Sequence, residues 1–126
     1  MGNEEFEAAF SLGQATADAE IDSGADLLIP AEVGVGATTV AAALMGHFTS
    51  TEPVAIVGPG SGTTDAMWKT KVTVIRDAMF RIRNLEGAEV IQAASSPSFA
   101  ALVGFICQAC LLYTSDAADE EDSGGL

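Results

Sequence analysis

Twice in this chain an apolar run flows through a glycine-dense turn into a segment opened by threonine. The first instance is ADLLIP (25–30), then Glu32, the turn Gly34-Val35-Gly36, and TTVAAALM (38–45) closed by Gly46. The second is PVAIVG (53–58), the turn GPGSG with Gly58, Gly60 and Gly62, and a segment running from Thr63, Thr64 and Asp65 through Trp68, Val72, Ile75 and Met79. The first apolar run is too brief for a free helix and is bounded by Gly and Pro, and the second repeats its pattern from Pro53, so each reads as a buried strand. Threonine and aspartate after each turn are N-cap residues, so each turn leads into a helix.

Strand, glycine turn and helix, repeated, predict an α/β fold: an incomplete three-layer parallel-sheet (Rossmann-like) core. Both turns then fall at the carboxyl edge of the sheet, where such folds bind ligands. Glycine permits positive φ and close backbone approach, and the N–H groups at a helix N-terminus attract anions. The paired turns therefore point to a phosphate cradle.

The flanks read as helices. Phe6, Ala9, Phe10, Gly13, Ala17 and Ile21 recur at spacings of three and four, the period of an amphipathic helix from Glu4 to about Ser23. Beyond the second turn, EGAEVIQAA (86–94) and SFAALVGFICQACLL (98–112) read as two helices separated by Ser95, Ser96 and Pro97. The last is apolar on all sides, which predicts burial, and it is shorter than the roughly 18 apolar residues a membrane span needs.

Charge narrows the function. Eighteen acidic residues against five basic ones give a net charge of −13 on a chain that is 48% hydrophobic. That balance disfavours nucleic acid and anionic membranes as partners, while the apolar fraction excludes wholesale disorder. All five cations, Lys69, Lys71, Arg76, Arg81 and Arg83, share one short window, so an anion held by the preceding residues depends on backbone amides. Residues 113–126 carry five acids and read as an acidic disordered tail on a domain of residues 1–112. The acidic opening MGNEEFEAAF is unlike a secretory signal, which predicts a cytoplasmic protein.

Several common motifs are absent. Neither glycine turn is followed by the lysine of a Walker A loop, and neither completes G-x-G-x-x-G/A or a G-x-S-x-G elbow. Cys107 and Cys110 form a lone CQAC with no second pair or neighbouring cation, and read as two small buried hydrophobes rather than a redox or zinc site. His47, the one histidine, reads as a helix-end residue.

The stretch ADLLIPAEVGVGATTVAAALMG closely resembles the G-E-[MV]-G-[IV]-G-N-T-T motif, with its preceding strand and alanine-rich helix, of the nicotinate-nucleotide:dimethylbenzimidazole phosphoribosyltransferases. VGPGSGTTDAMWKTKVTVI is similar to that family's G-R-G-T-G-x-x-D segment and the lysine-bearing helix after it, and the leading and SFAALVGFI helices fit in order. The resemblance spans about Phe6 to Ala109. It departs from the family pattern at Ala37, Pro59 and Ser95-Ser96, each of which removes a polar contact or a flexible turn.

The resemblance implies transfer of phosphoribose from nicotinate mononucleotide to 5,6-dimethylbenzimidazole, yielding α-ribazole 5′-phosphate and nicotinate for the lower ligand of cobalamin. It implies no metal or cofactor, and a homodimer in full-length members. It assigns Gly34, Val35, Gly36, Gly60 and Gly62 to backbone contacts with the nucleotide phosphate and Lys71 to a direct charge on it. Glu32 would lie beside the ribose and the leaving base. Read without the resemblance, Lys71 is a solvated helix lysine and Glu32 a strand-end carboxylate.

The family's proton-accepting glutamate sits in a G-E-G-[TS]-G context that is absent here, so the chain reads as a central fragment, inactive alone. The alternative is a non-catalytic nucleotide-binding or dimerisation module. LLYTSDAADEEDSGGL resembles a translated sequencing-adapter peptide, which implies no function for residues 113–126; the competing reading is a natural acidic tail.

Overall fold

A computed structural model describes residues 1–58 and 64–123, with side chains described as far as Tyr113. In order, the helices are α1 (Asn3–Asp22), α2 (Ala37–Thr49), α3 (Pro53–Ile56), α4 (Asp65–Ile82), α5 (Ala88–Ala94) and α6 (Pro97–Ser123). They fall into two compact units, one of Met1 with Val33–Ser96 and one of Gly2–Glu32 with Pro97–Leu126.

No strand occurs among the described residues, so the expected parallel-sheet, Rossmann-like core is overturned. A strand needs a neighbour to take its backbone hydrogen bonds, and neither apolar run has one. ADLLIP lies outside any regular element, with Leu27 and Ile29 76% and 79% exposed rather than buried. PVAI instead closes one helical turn: Pro53 stands at its start, Ala55 donates to Glu52 O (3.0 Å) and Val57 to Pro53 O (2.9 Å). Proline pre-sets the helical φ there and gives up an N–H that no helix start uses.

In the unit of α1 and α6, two helices pack backbone against backbone. Gly13 faces the Ala101 carbonyl and Gly104 the Phe10 carbonyl so closely that a Cβ at either glycine would collide. Phe6, Ala17, Ala100 and Ala109 are buried along the same contact. Gln108 Nε2 donates to Asp18 Oδ1 (2.8 Å), which holds the rotational setting of α6. Within this unit α1 is the helical partner of α6, and one partner covers one face. The expectation of all-round burial therefore fails: Leu111 is 63% exposed, and Cys107 and Cys110 are exposed free thiols rather than buried hydrophobes.

The other unit packs α2 through α5. Its centre is Ala42 and Ala43 of α2, Val57 beyond α3, and Val72 and Ile75 of α4, with Ile56, Trp68, Ala78 and Met79 packed around them. Gly46 admits Met79 Sδ, which would lie 2.6 Å from a Cβ built there. Ile82 and Val90 bring α4 and α5 together with almost no exposure. His47 lies in the last turn of α2, its Nε2 3.2 Å from Leu85 O.

Alanine at Gly13 gains about 1 kcal/mol of helix propensity but overpacks a backbone contact that cannot yield, at about 1–3 kcal/mol or more. The expected result is a net loss in urea unfolding followed by helical circular dichroism. Gly46→Ala presses only on the flexible end of Met79 and is expected to lose less; the opposite order would show that the α1–α6 contact is looser than described.

Candidate functional site

The first glycine turn ends at Gly36, whose φ of 79° is left-handed and unfavourable for any side chain, and which caps α2. Ala37 N donates to Gly34 O (3.3 Å), and Thr39 and Val40 donate to Gly36 O (3.1 and 3.4 Å). At a helix start the opening N–H groups lack acceptors within the helix, which makes the first turn of α2 a source of donors. Val35 is fully exposed, so its contribution there is its backbone.

α4 supplies the charge. Its N-cap is Thr64, whose Oγ1 accepts from Met67 N (3.2 Å), and Trp68 Nε1 donates to Val57 O (2.7 Å). The second contact ties the end of α3, and with it the approach to the second glycine turn, to the first turns of α4. One helical turn on from Trp68, Lys71 Nζ donates to Thr38 Oγ1 (3.0 Å). The ammonium is thus held at the first turn of α2. Its bond to a neutral hydroxyl leaves the charge uncompensated by that partner.

Two grooves flank Lys71. One, of about 620 Å³, is lined by Thr39, Ala66, Met67, Thr70 and Val74. The other, of about 270 Å³, is lined by Thr38, Met45, Ile56, Val57 and Gly58. Both are largely apolar, with hydroxyls and the ammonium as the polar groups. Such a surface suits a ligand with one strongly anionic end and an apolar ring.

Of the residues singled out from sequence, Gly34, Val35 and Gly36 lead into α2, and Lys71 is tied to the first turn of that helix through Thr38. Gly60 and Gly62 lie outside the described residues, as does Pro59. Glu32 belongs to the other unit, half-buried in a groove of about 310 Å³ with Leu12, Thr16, Ala101 and Phe105. From sequence, Thr38 or Thr39 is expected to cap α2; the N-cap is Gly36, and the Thr38 hydroxyl receives Lys71 across a separation of 33 residues that carries no local signal of the bond. Among the described residues no group of three or more His, Cys, Asp or Glu could hold a metal, and no helix is long and apolar enough to cross a membrane.

Residues 1–114 match a family model described as phosphoribosyltransferase. The chain is 49% identical over 116 residues to the nicotinate-nucleotide–dimethylbenzimidazole phosphoribosyltransferase of Corynebacterium glutamicum (strain R) and 51% identical over 116 to that of Corynebacterium efficiens. It is 44% identical over 116 residues to the enzyme of the same name from Mycobacterium tuberculosis. In each case the match covers 90% of this chain and 32% of the relative, so the chain spans about a third of the length of the curated relatives it matches. No solved structure matches it.

The left-handed cap gives a direct test of the turn. Gly36→Ala is expected to cost about 1–2 kcal/mol of stability, with Gly36→Asn recovering part of it because asparagine tolerates that conformation. Gly58→Ala, with open space where its Cβ would go and no positive φ, is expected to stay within about 0.5 kcal/mol. Equal losses at both positions, read by thermal unfolding, would mean that Gly36 does not hold the turn as described.

Proposed function

This chain belongs to the nicotinate-nucleotide–dimethylbenzimidazole phosphoribosyltransferase family, and on that premise we propose that it supplies the 5′-phosphate-binding portion of an enzyme moving phosphoribose from nicotinate mononucleotide to 5,6-dimethylbenzimidazole. The observation that carries the reading is the Lys71 ammonium, 3.0 Å from Thr38 Oγ1 in the first turn of the helix that Gly34, Val35 and Gly36 lead into. In a chain of net charge −13, a cation bonded at the start of a helix is a feature that favours an anion. Gly60 and Gly62 are likewise assigned to backbone contacts with the phosphate, as the family resemblance implies.

In this reaction the bond between ribose C1′ and the nicotinate nitrogen breaks, the electron pair leaving with nicotinate, whose pyridinium charge makes it a good leaving group. A benzimidazole nitrogen bonds to C1′, and the N–H proton of the benzimidazole passes to a carboxylate. Holding the phosphate fixes C1′ for this exchange, and positioning of that kind is a large part of such catalysis. Glu32, which the resemblance sets beside the ribose and leaving base, belongs to the other unit, so the reading rests on Lys71 and the first glycine turn. The proton acceptor lies outside this chain, which therefore binds without turning over. On the same reading the full-length protein is a homodimer. Residues 1–112 form the part of the transferase, with the family match over residues 1–114 in support, although α6 continues past that boundary to Ser123.

Loss of a charge-assisted hydrogen bond costs about 1.5–3 kcal/mol. Lys71→Ala is thus expected to weaken nicotinate mononucleotide binding to this chain by about 10- to 150-fold in isothermal titration. Nicotinate riboside, which lacks the phosphate, should bind both forms alike; a parallel loss for the riboside would remove Lys71 from the phosphate. Incubation of the pure 126-residue chain with both substrates is expected to give no α-ribazole 5′-phosphate, and its formation would overturn the external proton acceptor.

A further inference from the structure

The thiols of Cys107 and Cys110 stand outside everything proposed above. Both are exposed and free on α6, three residues apart. Residues so spaced share a helix face, with Cβ atoms about 5–6 Å apart. A disulfide needs about 3.5–4.5 Å between those atoms, so the helix resists closing one. An ion bonded to both sulfurs at about 2.3 Å each spans the larger gap without bending the helix.

The rotational setting of α6, and with it that of the pair, is held by contacts with α1. Gly104 rests against the Phe10 carbonyl, and Gln108 is bonded to Asp18 (2.8 Å), so the thiols are presented outward on a helix that cannot freely turn. Cys110 also lines a groove of about 190 Å³ with Leu28, Pro30, Ile106 and Tyr113, a largely apolar rim. No third His, Cys, Asp or Glu joins the two thiols among the described residues. Structural zinc wants four protein ligands, whereas soft ions are satisfied by fewer thiolates.

We propose that Cys107 and Cys110 form a two-thiolate site for a soft monovalent cation, copper(I). Each thiol loses its proton as its sulfur bonds the ion, so one copper(I) enters as two protons leave, with no change of oxidation state. The second thiolate acts as an intramolecular ligand, and removing it forfeits its effective concentration.

The test is anaerobic titration of the whole chain with copper(I) against a chromogenic copper(I) chelator. One copper(I) per chain is expected, with affinity falling at least tenfold in both Cys107→Ser and Cys110→Ser, while zinc is lost on gel filtration. Helical circular dichroism of the variants checks that they fold, as exposed thiols should allow. A smaller loss in either variant, one copper per two chains, or retention of zinc would each overturn the site.

Discussion

Both units are held by helix pairs that close where side-chain volume is missing. Gly13 and Gly104 let α1 and α6 meet at the level of their carbonyls, and Ala42, Ala43 and Gly46 let α2 approach the larger side chains Val72, Ile75 and Met79 of α4. Protein interiors are packed as densely as organic crystals, so a large residue on one helix requires a small one opposite. The approach of α2 to α4 is what gives the candidate site its geometry. Lys71 reaches Thr38 only because the two helices stand this close.

Electrostatics adds selectivity to that packing. The ion pair between Arg76 and Glu52 spans 3.7 Å with both side chains more than half exposed, a setting worth about 0–1 kcal/mol. Arg83 lies 3.9 Å over the Phe80 ring at the far end of α4. Lys71 differs in its surroundings: its partner is neutral, and the start of α2 adds the partial positive charge of oriented amides. An anion gains from both at once.

The helical parts of the fold were legible in the residues. The apolar spacing from Phe6 to Ile21 gave α1, Thr64 and Asp65 marked the start of α4, and Ser95 and Pro97 separated α5 from α6. The sheet was not, because a strand is a property of two segments. ADLLIP and PVAIVG have strand-like composition, yet one stays exposed without a partner and the other closes a helical turn on Pro53. Burial of α6 failed for a related reason: apolarity on all sides does not say how many neighbours a helix will find.

What this sequence determined by itself is local: helix periods, caps, the glycine at a left-handed cap, the concentration of every cation between Lys69 and Arg83, and the family motif that spans the first glycine turn. Tertiary structure alone decided which of these meet. It set Lys71 on Thr38 across 33 residues, pinned Val57 to Trp68, turned Cys107 and Cys110 outward, and placed Glu32 in a different unit from the Gly34–Gly36 turn. The physical reason is one of range. Periodicity and capping act within a few residues, whereas a side chain's partner depends on which helices find room to pack.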